Sequence, residues 1–534
     1  MSKNERITEN LVRNRMRDLA YYESDNGITI EEQKSENETI KKLLKGASKT
    51  GGSGSGYPEF IIQSKSVTDF IIVFECKADT KLHQSKNTNK PKDYAVDGVL
   101  HYGKRLAKGY NVISVAVSGQ TESELKISCF LHPKGSNTHK ELQNKDNKKI
   151  ESILPFNDFI KHGTFDPEVE RKRYSDLMAF SRELHEFMRD HAKLTESEKP
   201  LLVSGTLIAL KNSAFINSFE YLDPSELQEE WIKSIKKEID KAQIPHSKKN
   251  NMVQPYSSIA VHPELGKSTK SYPKGNLHEL IMRINEHVWP FISVYHNFDV
   301  VGQFYGEFLK YTGGDKKSLG IVLTPRHIAD IFCELANVNK DTKVIDLCCG
   351  TGGFLVSAMN HMFKDADTDA DIEKIKKEQL IGVEQQPHMF ALAASNMILR
   401  GDGKANLHQG SCFDEAIQKD IKEYSCDVGM INPPYSQSDE DLHELVFVKT
   451  MLDCLKEGGV GIAIVPMGRA IAPHPVREEL LKHHTLLASM SMPDDLFYPV
   501  GTVTCILVFE AHKPHIKSKV IIQRNSYKFT NKIG

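Results

Sequence analysis

Two groups of side chains in this 534-residue chain have the types and spacing of catalytic groups. The first comprises Glu59, Glu75 and Lys77, in two apolar stretches separated by a polar turn centred on Val67. An antiparallel hairpin folded at that turn brings Glu59 opposite Glu75, and Glu75 and Lys77 then share one strand face. Carboxylates are ligands that Mg²⁺ prefers, and an ammonium beside them can orient or activate water. We therefore predict a metal site formed by Glu59 and Glu75, with Asp69 at the far end of the strand.

The second group lies where apolar strands end in the C-terminal half. The strand KVID ends at Asp346, and the chain then turns through Gly350, Gly352 and Gly353 into a predicted helix. Glycines let a backbone approach a ligand closely, and a helix N-terminus favours a carboxylate. The next strand, LIGVE, ends at Glu384, which can accept hydrogen bonds from both hydroxyls of a ribose. The pattern predicts a site for a ligand that carries a nucleoside.

A third strand, CDVGMI, delivers the tetrapeptide Asn432-Pro433-Pro434-Tyr435 at its carboxyl end. Ligands of open α/β sheets bind at that edge. The Asn432 side-chain carbonyl and the Pro433 backbone carbonyl can accept hydrogen bonds from an exocyclic amine, while Tyr435 can stack on a base taken out of a duplex. These acceptors orient the amine lone pair toward a methyl sulfonium. The predicted chemistry is methyl transfer without a Cys nucleophile.

The patterning around these groups predicts three regions. Residues 1–165 carry the hairpin and its flanking helices, residues 166–299 have helical three- and four-residue spacing of apolar side chains, and residues 300–534 alternate strands with helices. We expect an α/β chain whose C-terminal sheet is Rossmann-like and doubly wound, behind a helical middle domain. The Gly- and Ser-rich segment 46–56 is expected to be a linker or loop.

The charge distribution, the cysteine spacing and the lack of long apolar stretches exclude further classes of protein. The net charge is −2, yet residues 1–150 hold 25 Lys and Arg against 19 Asp and Glu, which favours a first domain that faces phosphate. Nine cysteines without CxxC spacing argue against a disulfide framework and a zinc site. A polar N-terminus and the lack of a long apolar stretch lead us to expect a cytoplasmic protein with no membrane partner.

The first group resembles the PD-(D/E)xK nuclease core, in which Pro58-Glu59 is followed by Glu75-Cys76-Lys77. Glu9, in the early helix ITENLVRNRMRDL, matches the family's helical acidic residue, and DYAVDGVLHYGKRLA matches the helix after the core. Glu59 stands where Asp is usual. The resemblance implies Mg²⁺-dependent DNA cleavage with Glu9, Glu59, Glu75 and Lys77 as catalytic residues.

Residues 302–509 are similar to the γ-class adenine-specific DNA methyltransferases, in particular the modification subunits of type I restriction systems. The motifs GQFYGEFL, LGIVLTPRHIADIF, DLCCGTGG, VEQQP, NPPY and DDLFYPVGTVTCILVFE follow in the family's order. Gly410-Ser411 replaces the frequent Gly-Asp, which leaves Asp414 as the nearest carboxylate. The similarity implies catalysis by Asn432, Pro433, Pro434 and Tyr435. It also implies binding of S-adenosylmethionine by Thr324, Pro325, Asp346, Cys348, Gly350, Thr351, Gly352, Gly353, Phe354, Glu384, Asp414 and Asn432.

The combination resembles the fused restriction-modification polypeptides of types IIB and IIG, in which one chain methylates adenine and cleaves unmethylated DNA. We expect double-stranded DNA as substrate and a hetero-oligomer with a separate specificity subunit or domain, because the stretch after VFEAHKP is too short to read a sequence. Two alternatives remain open: a methyltransferase whose N-terminal domain binds DNA without cleaving it, and a nicotinamide-dependent enzyme with a Rossmann-type loop.

Overall fold

A computed structural model describes most of the chain. The described residues are 4–23, 27–49, 54–65, 67–144, 147–164, 166–241, 246–289, 292, 302, 304, 306, 324–401, 406–436, 442–493, 496, 502–516 and 521–523. The predicted motif segment 307–323 lies outside them, as does 497–501. None of the helices in this part of the chain is both long and apolar enough to cross a bilayer.

Along the chain, a β-rich region is followed by a helical region and then by a second region in which strands and helices alternate. The helices are α1 Glu5–Asp18, α2 Glu38–Leu44, α3 Ala95–Leu106, α4 Phe156–Thr164, α5 Pro167–Asp190, α6 Glu198–Leu210, α7 Ser213–Ser218, α8 Pro224–Lys241, α9 His246–Ala260, α10 Asn276–His287, α11 Arg326–Leu335, α12 Gly353–Asp365, α13 Asp369–Glu378, α14 Pro387–Leu399, α15 Glu415–Glu423, α16 Glu444–Asp453, α17 Met467–Ile471 and α18 Pro475–His483. The strands are β1 Ile28–Glu32, β2 Phe60–Ser64, β3 Phe70–Lys77, β4 Asn111–Ser118, β5 Lys126–His132, β6 Lys140–Glu141, β7 Val344–Asp346, β8 Leu380–Glu384, β9 Asn406–Gln409, β10 Cys426–Ile431, β11 Leu455–Pro466, β12 Thr485–Ser491, β13 Thr504–Glu510 and β14 Ile521–Gln523.

The chain divides into two compact units. The first contains residues 1–180 and 282–296, and the second contains residues 181–281 and 297–534. Most of the helical middle region therefore belongs to the same unit as the C-terminal sheet. The three-domain division with boundaries at 165 and 299 stays a prediction.

The first unit is built on a six-stranded sheet in the order β1-β2-β3-β4-β5-β6. Strands β3 and β4 are parallel, and the other described pairs are antiparallel. Strands β2 and β3 pair as Phe60 with Phe74 and Ile62 with Ile72, which is the register predicted for a hairpin centred on Val67. Beyond these pairs, the Glu59 N–H donates to the Phe74 carbonyl at 3.0 Å, which places Glu59 beside the Phe74–Glu75 peptide of β3.

Strand β3 is buried along its whole length because apolar side chains cover both of its faces. Phe70 and Phe74 on one face pack in a cluster with residues of α1 and α4. Ile71 and Val73 on the other face pack in a cluster with residues of α3. Since side chains alternate along a strand, Glu75 and Lys77 lie on the α3 side of the sheet.

The second unit contains an eight-stranded sheet in the order β14-β12-β13-β11-β10-β7-β8-β9. The run from β11 to β9 is parallel, while β13 is antiparallel to β11 and β12 is antiparallel to β13. The sheet is therefore mixed. Strand order reverses beside β7, which has β8 on one side and β10 on the other, and such a reversal opens a ligand crevice at the carboxyl ends of the strands.

Helices of the middle region pack together within this second unit. Gly205 on α6 lets Trp231 of α8 approach, because a Cβ there would lie 2.7 Å from Cζ2 of that ring. The Trp231 indole N–H donates to Thr206 Oγ1 at 3.1 Å. Tyr256 on α9 donates to the carbonyl of Ala391 on α14 at 3.2 Å, which joins these helices to the layer that covers the sheet.

Candidate active sites

Helix α1 is held at the carboxyl ends of β3 and β4 by a buried threonine. The Thr8 hydroxyl lies 2.7 Å from the carbonyl oxygen of Gly119 and 3.3 Å from that of Lys77, and it is the donor in both contacts. Glu5 and Glu9 flank Thr8 and, being four residues apart, lie on one helix face. The contact with Thr8 therefore brings the predicted helical carboxylate Glu9 to the end of β3.

Glu5 is a site residue that the sequence analysis missed. Lys77 Nζ donates to Glu5 Oε1 at 3.0 Å, so the lysine predicted to serve catalysis is shared between Glu5 and Glu75. The one available signal was the four-residue spacing of Glu5 from Glu9 on an amphipathic helix. Glu9 itself contacts Arg13, whose Nη2 lies 3.3 Å from Glu9 Oε2.

Glu75 is the buried centre of the first site. Its side chain is fully buried, and its Oε1 accepts from Lys77 Nζ at 3.3 Å and from Lys49 Nζ. Within the described part of the chain, Glu75 Oε2 has no hydrogen-bond partner. An orphaned carboxylate oxygen in a buried site is free to take a further cation or donor.

The carboxyl groups of this site influence one another's ionisation. Burial, followed by the negative charges of Glu75 and Glu9, raises the pKa of Glu59 to about 7 against the opposing effect of Lys49. Burial also raises the pKa of Glu75, and the two lysines act in the opposite direction. Burial alone would lower the pKa of Lys77, but the carboxylates of Glu75 and Glu5 raise it above its ordinary value. The site therefore favours a bound cation.

Lys49 was not predicted as a site residue. It lies in the segment 46–56 that was predicted to be a linker or loop, and the described residues of that segment form neither helix nor strand. Both sides of this loop pack within the first unit, where Ser48 N–H donates to the Gly54 carbonyl at 3.1 Å. The Lys49 ammonium reaches Glu75 and lies 5.2 Å from the centre of the Tyr102 ring. A segment without apolar periodicity gives no sequence signal for such a contact, and its composition predicts only a linker or loop.

Two carboxylates and their surroundings fit a divalent cation. Glu59 and Glu75 supply oxygen ligands, Glu75 Oε2 is unsatisfied within the described residues, and a bound cation would offset the burial and the neighbouring negative charge that raise the pKa of Glu59. No group of three or more His, Cys, Asp or Glu side chains among the described residues lies close enough to hold a metal ion. The roles of Glu9, Glu59, Glu75 and Lys77 stay predictions. Asp69 lies elsewhere, where its Oδ1 accepts from Arg173 Nη2 at 2.9 Å.

The glycine-rich turn after β7 has the predicted form. Gly350 and Gly352 have positive φ values of 54° and 83°, and helix α12 begins at Gly353. Gly350 N–H donates to Glu384 Oε2 at 2.9 Å, so the carboxylate that ends β8 fixes the turn. Asp346 Oδ1 accepts from the Cys348 N–H at 3.0 Å, and burial followed by the charge of Glu384 raises the pKa of Asp346 to about 8. A helix N-terminus bordered by these carboxyl groups fits a ligand that has both a carboxylate and ribose hydroxyls.

The tetrapeptide follows β10, as predicted. The Asn432 amide donates to Thr324 Oγ1 at 3.0 Å, which joins two residues predicted for one site although they lie 108 positions apart. Pro433 is buried and Pro434 is exposed. Tyr435 is only 6% exposed, and its ring would have to become accessible before a base could stack on it. Burial, followed by the negative charge of Glu444, raises the pKa of Tyr435.

Glu444 supports this loop and was not predicted. Its side chain is buried, and its Oε1 accepts from the backbone N–H and the hydroxyl of Ser436 at 2.9 and 3.0 Å. Arg469 Nε lies 3.8 Å from the other oxygen. Glu444 begins α16 and is separated from Ser436 by residues without a periodic pattern, so the sequence offers no signal for the contact.

The remaining predicted cofactor residues have varied surroundings. The Thr351 carbonyl accepts from the Asn396 amide at 2.8 Å, and the Phe354 ring stacks on Phe332 at a centroid distance of 4.7 Å. Asp414 is exposed and caps α15 by accepting from Ala416 N–H at 2.9 Å. Pro325 precedes α11, and Cys348 and Cys349 are free thiols. The assigned cofactor roles of these residues stay predictions.

Comparisons with known proteins cover both units. Residues 296–533 match the family model for N-6 DNA methylases. The chain is 34% identical over 544 aligned residues to the Type II restriction enzyme and methyltransferase RM.BcgI of Heyndrickxia coagulans, covering 96% of this chain and 82% of that protein.

Type I methylase subunits match a shorter part of the chain. The EcoEI methylase subunit of Escherichia coli is 24% identical over 260 residues, covering 45% of this chain and 51% of the subunit. The MjaIX methylase subunit of Methanocaldococcus jannaschii is 24% identical over 266 residues, covering 43% and 45%. The alignments thus span about half the length of these two subunits.

Proposed function

Because this chain belongs to the family of restriction-modification adenine DNA methyltransferases that includes RM.BcgI, we propose that it methylates adenine with S-adenosylmethionine and also cleaves unmethylated DNA with Mg²⁺. The assignment as a methyltransferase rests on membership of this family. The cofactor, the metal and the cleavage reaction are the proposal. The observation that carries the cleavage half is the buried Glu75 carboxylate, which contacts Lys77, interacts with the charge of Glu59 and has no hydrogen-bond partner for Oε2 among the described residues.

In the methyl-transfer reaction, the residues after β10 hold the target amine. The Asn432 side-chain carbonyl and the Pro433 carbonyl accept its two hydrogens, which keeps the nitrogen lone pair available for attack. Thr324 orients the Asn432 amide through the 3.0 Å hydrogen bond. Glu384 and the turn through Gly350 and Gly352 would hold S-adenosylmethionine, which supplies the methyl group when bound.

In the cleavage reaction, Glu59 and Glu75 would hold Mg²⁺, which when bound makes water a stronger nucleophile and neutralises phosphate charge. Lys77 is held between Glu75 and Glu5, and we assign to it the orientation of the attacking water. Glu9 contributes negative charge that favours cation binding. Its ion pair with Arg13 fixes the position of that charge.

The proposal includes double-stranded DNA as substrate and a specificity subunit or domain that reads the sequence. We assign the assembly as a hetero-oligomer by analogy with the type I systems that the methylase relatives belong to. Cleavage must spare modified DNA, so we expect it to depend on an unmethylated bound site.

The methylation half is tested with tritiated S-adenosylmethionine and genomic DNA that lacks adenine methylation, in the presence of the specificity partner. We expect label in adenine with the wild-type chain and at least a hundredfold less with Asn432→Ala, because a catalytic electrostatic contact commonly contributes about that factor. Undiminished labelling by Asn432→Ala would overturn the assigned site.

The cleavage half is tested on the same DNA with Mg²⁺ and unlabelled cofactor. We expect cleavage by the wild-type chain and none by Glu75→Gln or Lys77→Met, while both variants still methylate. Retained methylation shows that the variants fold and bind DNA. Cleavage that survives both substitutions would contradict the assignment of the nuclease to this site.

A second function for the first unit is DNA binding without cleavage. The observation that favours it is the Lys49 ammonium, which already neutralises the Glu75 carboxylate that a metal would use. Under this alternative the wild-type chain with its partner methylates DNA but leaves it intact in Mg²⁺ and in Mn²⁺. The same cleavage experiment therefore separates the two functions.

A further inference from the structure

Lys49 is a charged residue of the first unit to which the proposed reaction assigns no role. Its side chain is 16% exposed, and its ammonium contacts Oε1 of the fully buried Glu75. The same oxygen accepts from Lys77 at 3.3 Å. Glu75 therefore bears two lysines on one oxygen, while its Oε2 has no hydrogen-bond partner within the described residues.

The two lysines are supported differently. Lys77 extends from the rigid strand β3 and has a second carboxylate, Glu5, at 3.0 Å. Lys49 extends from the loop 46–56, and its second neighbour is the face of the Tyr102 ring at 5.2 Å. Of the two cations, Lys49 loses fewer charged contacts when it leaves Glu75.

The loop is attached at both sides of Lys49. His101 Nε2 lies 3.1 Å from the carbonyl oxygen of Ala47, and Gly56 N–H donates to the Leu44 carbonyl at 2.9 Å. A Cβ at Gly56 would lie 2.7 Å from Cε1 of Tyr102, so Gly56 and that ring are closely packed. Because the backbone is attached on both sides of Lys49, a change of its side-chain conformation keeps the Nζ near the same carboxylates.

Building on the proposed nuclease function, we propose that Lys49 is a further residue of that site, which neutralises Glu75 until a divalent cation replaces it and then binds the DNA phosphate. A divalent cation on Oε2 and an ammonium on Oε1 of the same carboxylate repel each other, so metal binding displaces the less supported lysine. The incoming anion at this site is the phosphate of the DNA backbone, and lysine is a common phosphate ligand.

The first test is Mn²⁺ binding to the full-length chain without DNA, measured by titration calorimetry. We expect Lys49→Gln to bind Mn²⁺ about tenfold more tightly than the wild type, because loss of a hydrogen bond to a charged group changes an equilibrium by about that factor. Lys45→Gln, an exposed change four residues earlier, is the matched control and should not alter the affinity. Equal or weaker Mn²⁺ binding by Lys49→Gln would overturn the proposal.

The second test is single-turnover DNA cleavage at saturating Mg²⁺ with the specificity partner present. We expect Lys49→Gln to require a higher DNA concentration or to cleave about tenfold more slowly, and Lys49→Arg to restore most of the loss because it keeps the charge. Unchanged cleavage by Lys49→Gln would overturn the phosphate contact.

A Glu75→Gln variant distinguishes failure of this inference from failure of the proposed function. Mn²⁺ binding that is unaffected by Glu75→Gln means that Glu75 is no metal ligand, and both proposals fall. Mn²⁺ binding that depends on Glu75 but is unchanged by Lys49→Gln leaves the nuclease proposal standing and removes the role of Lys49.

Discussion

Gly98 on helix α3 lies directly against the carboxylate of Glu75: a Cβ at Gly98 would be 3.0 Å from Glu75 Cγ and 3.1 Å from Cδ. It would also be 2.9 Å from the carbonyl oxygen of Pro91. The absence of a side chain at this position therefore allows α3 to cover the buried carboxylate. This close approach explains how Glu75 is fully buried at the end of a strand.

Gly98→Ala should impair cleavage. Alanine favours a helix over glycine by about 1 kcal/mol. The clash with a backbone carbonyl and a buried side chain costs about 1–3 kcal/mol, so the steric effect wins. We expect lower thermal stability of the first unit and slower cleavage with methylation preserved. Gly468→Ala is the control, since it also lies in a helix but has nothing within 4 Å of the added Cβ.

Glu59 should make stability depend on pH. Its pKa is about 7 in the folded protein and near 4.5 in an unfolded chain, so between these values the folded state binds more protons and the free energy of unfolding falls as pH rises. Glu59→Gln removes this penalty and should be more stable than the wild type by about 1–2 kcal/mol at pH 8, after allowance for solvent screening. The difference should disappear below pH 4.5.

Metal-free thermal unfolding at several pH values measures this effect. Glu36→Gln is the control, because the Glu36 side chain is 93% exposed. Parallel pH profiles of the wild type and Glu59→Gln would mean that burial of Glu59 does not penalise its charge.

Glu444 should matter for methylation through the loop that follows Tyr435. Glu444→Ala leaves the Ser436 N–H and hydroxyl without their shared acceptor. The loss destabilises this conformation of the loop by about 1–3 kcal/mol. We expect kcat for methylation to fall about tenfold by this effect, and Glu444→Gln, which keeps an acceptor, to recover most of it. The exposed Glu479→Ala is the control. If Gln were as impaired as Ala, the negative charge rather than the hydrogen bonds would be essential.

Thr324 should orient Asn432. Thr324→Val keeps the shape of the side chain but removes the acceptor of the Asn432 amide hydrogen bond. We expect methylation to slow about three- to tenfold, with S-adenosylmethionine affinity less affected, because a neutral hydrogen bond contributes about 1 kcal/mol. Thr324→Ser should restore the rate, measured as kcat and KM for tritiated methyl transfer. A loss confined to cofactor binding would place Thr324 at the cofactor instead.

Much of the strand-level organisation could be predicted from the sequence. In the second unit, the apolar runs KVID, LIGVE and CDVGMI predict β7, β8 and β10, whereas no such run predicts β9, β12 or β14. Short strands with polar residues lack the apolar run that marks a buried strand. These strands form because the neighbouring strand offers backbone N–H and carbonyl groups with which they can pair.

The sequence by itself determined the local relationships: the hairpin register that pairs Phe60 with Phe74, the shared face of Glu75 and Lys77, and the position of Asn432 after a strand. These follow from the two-residue alternation of strands and from the position of a turn. Tertiary structure alone decided which partners these residues have. Lys49, Glu5 and Glu444 reach the two sites from loops and helix ends, and Glu5 meets Lys77 from 72 residues away. Such contacts depend on how remote elements pack, and no periodicity within either segment records that packing.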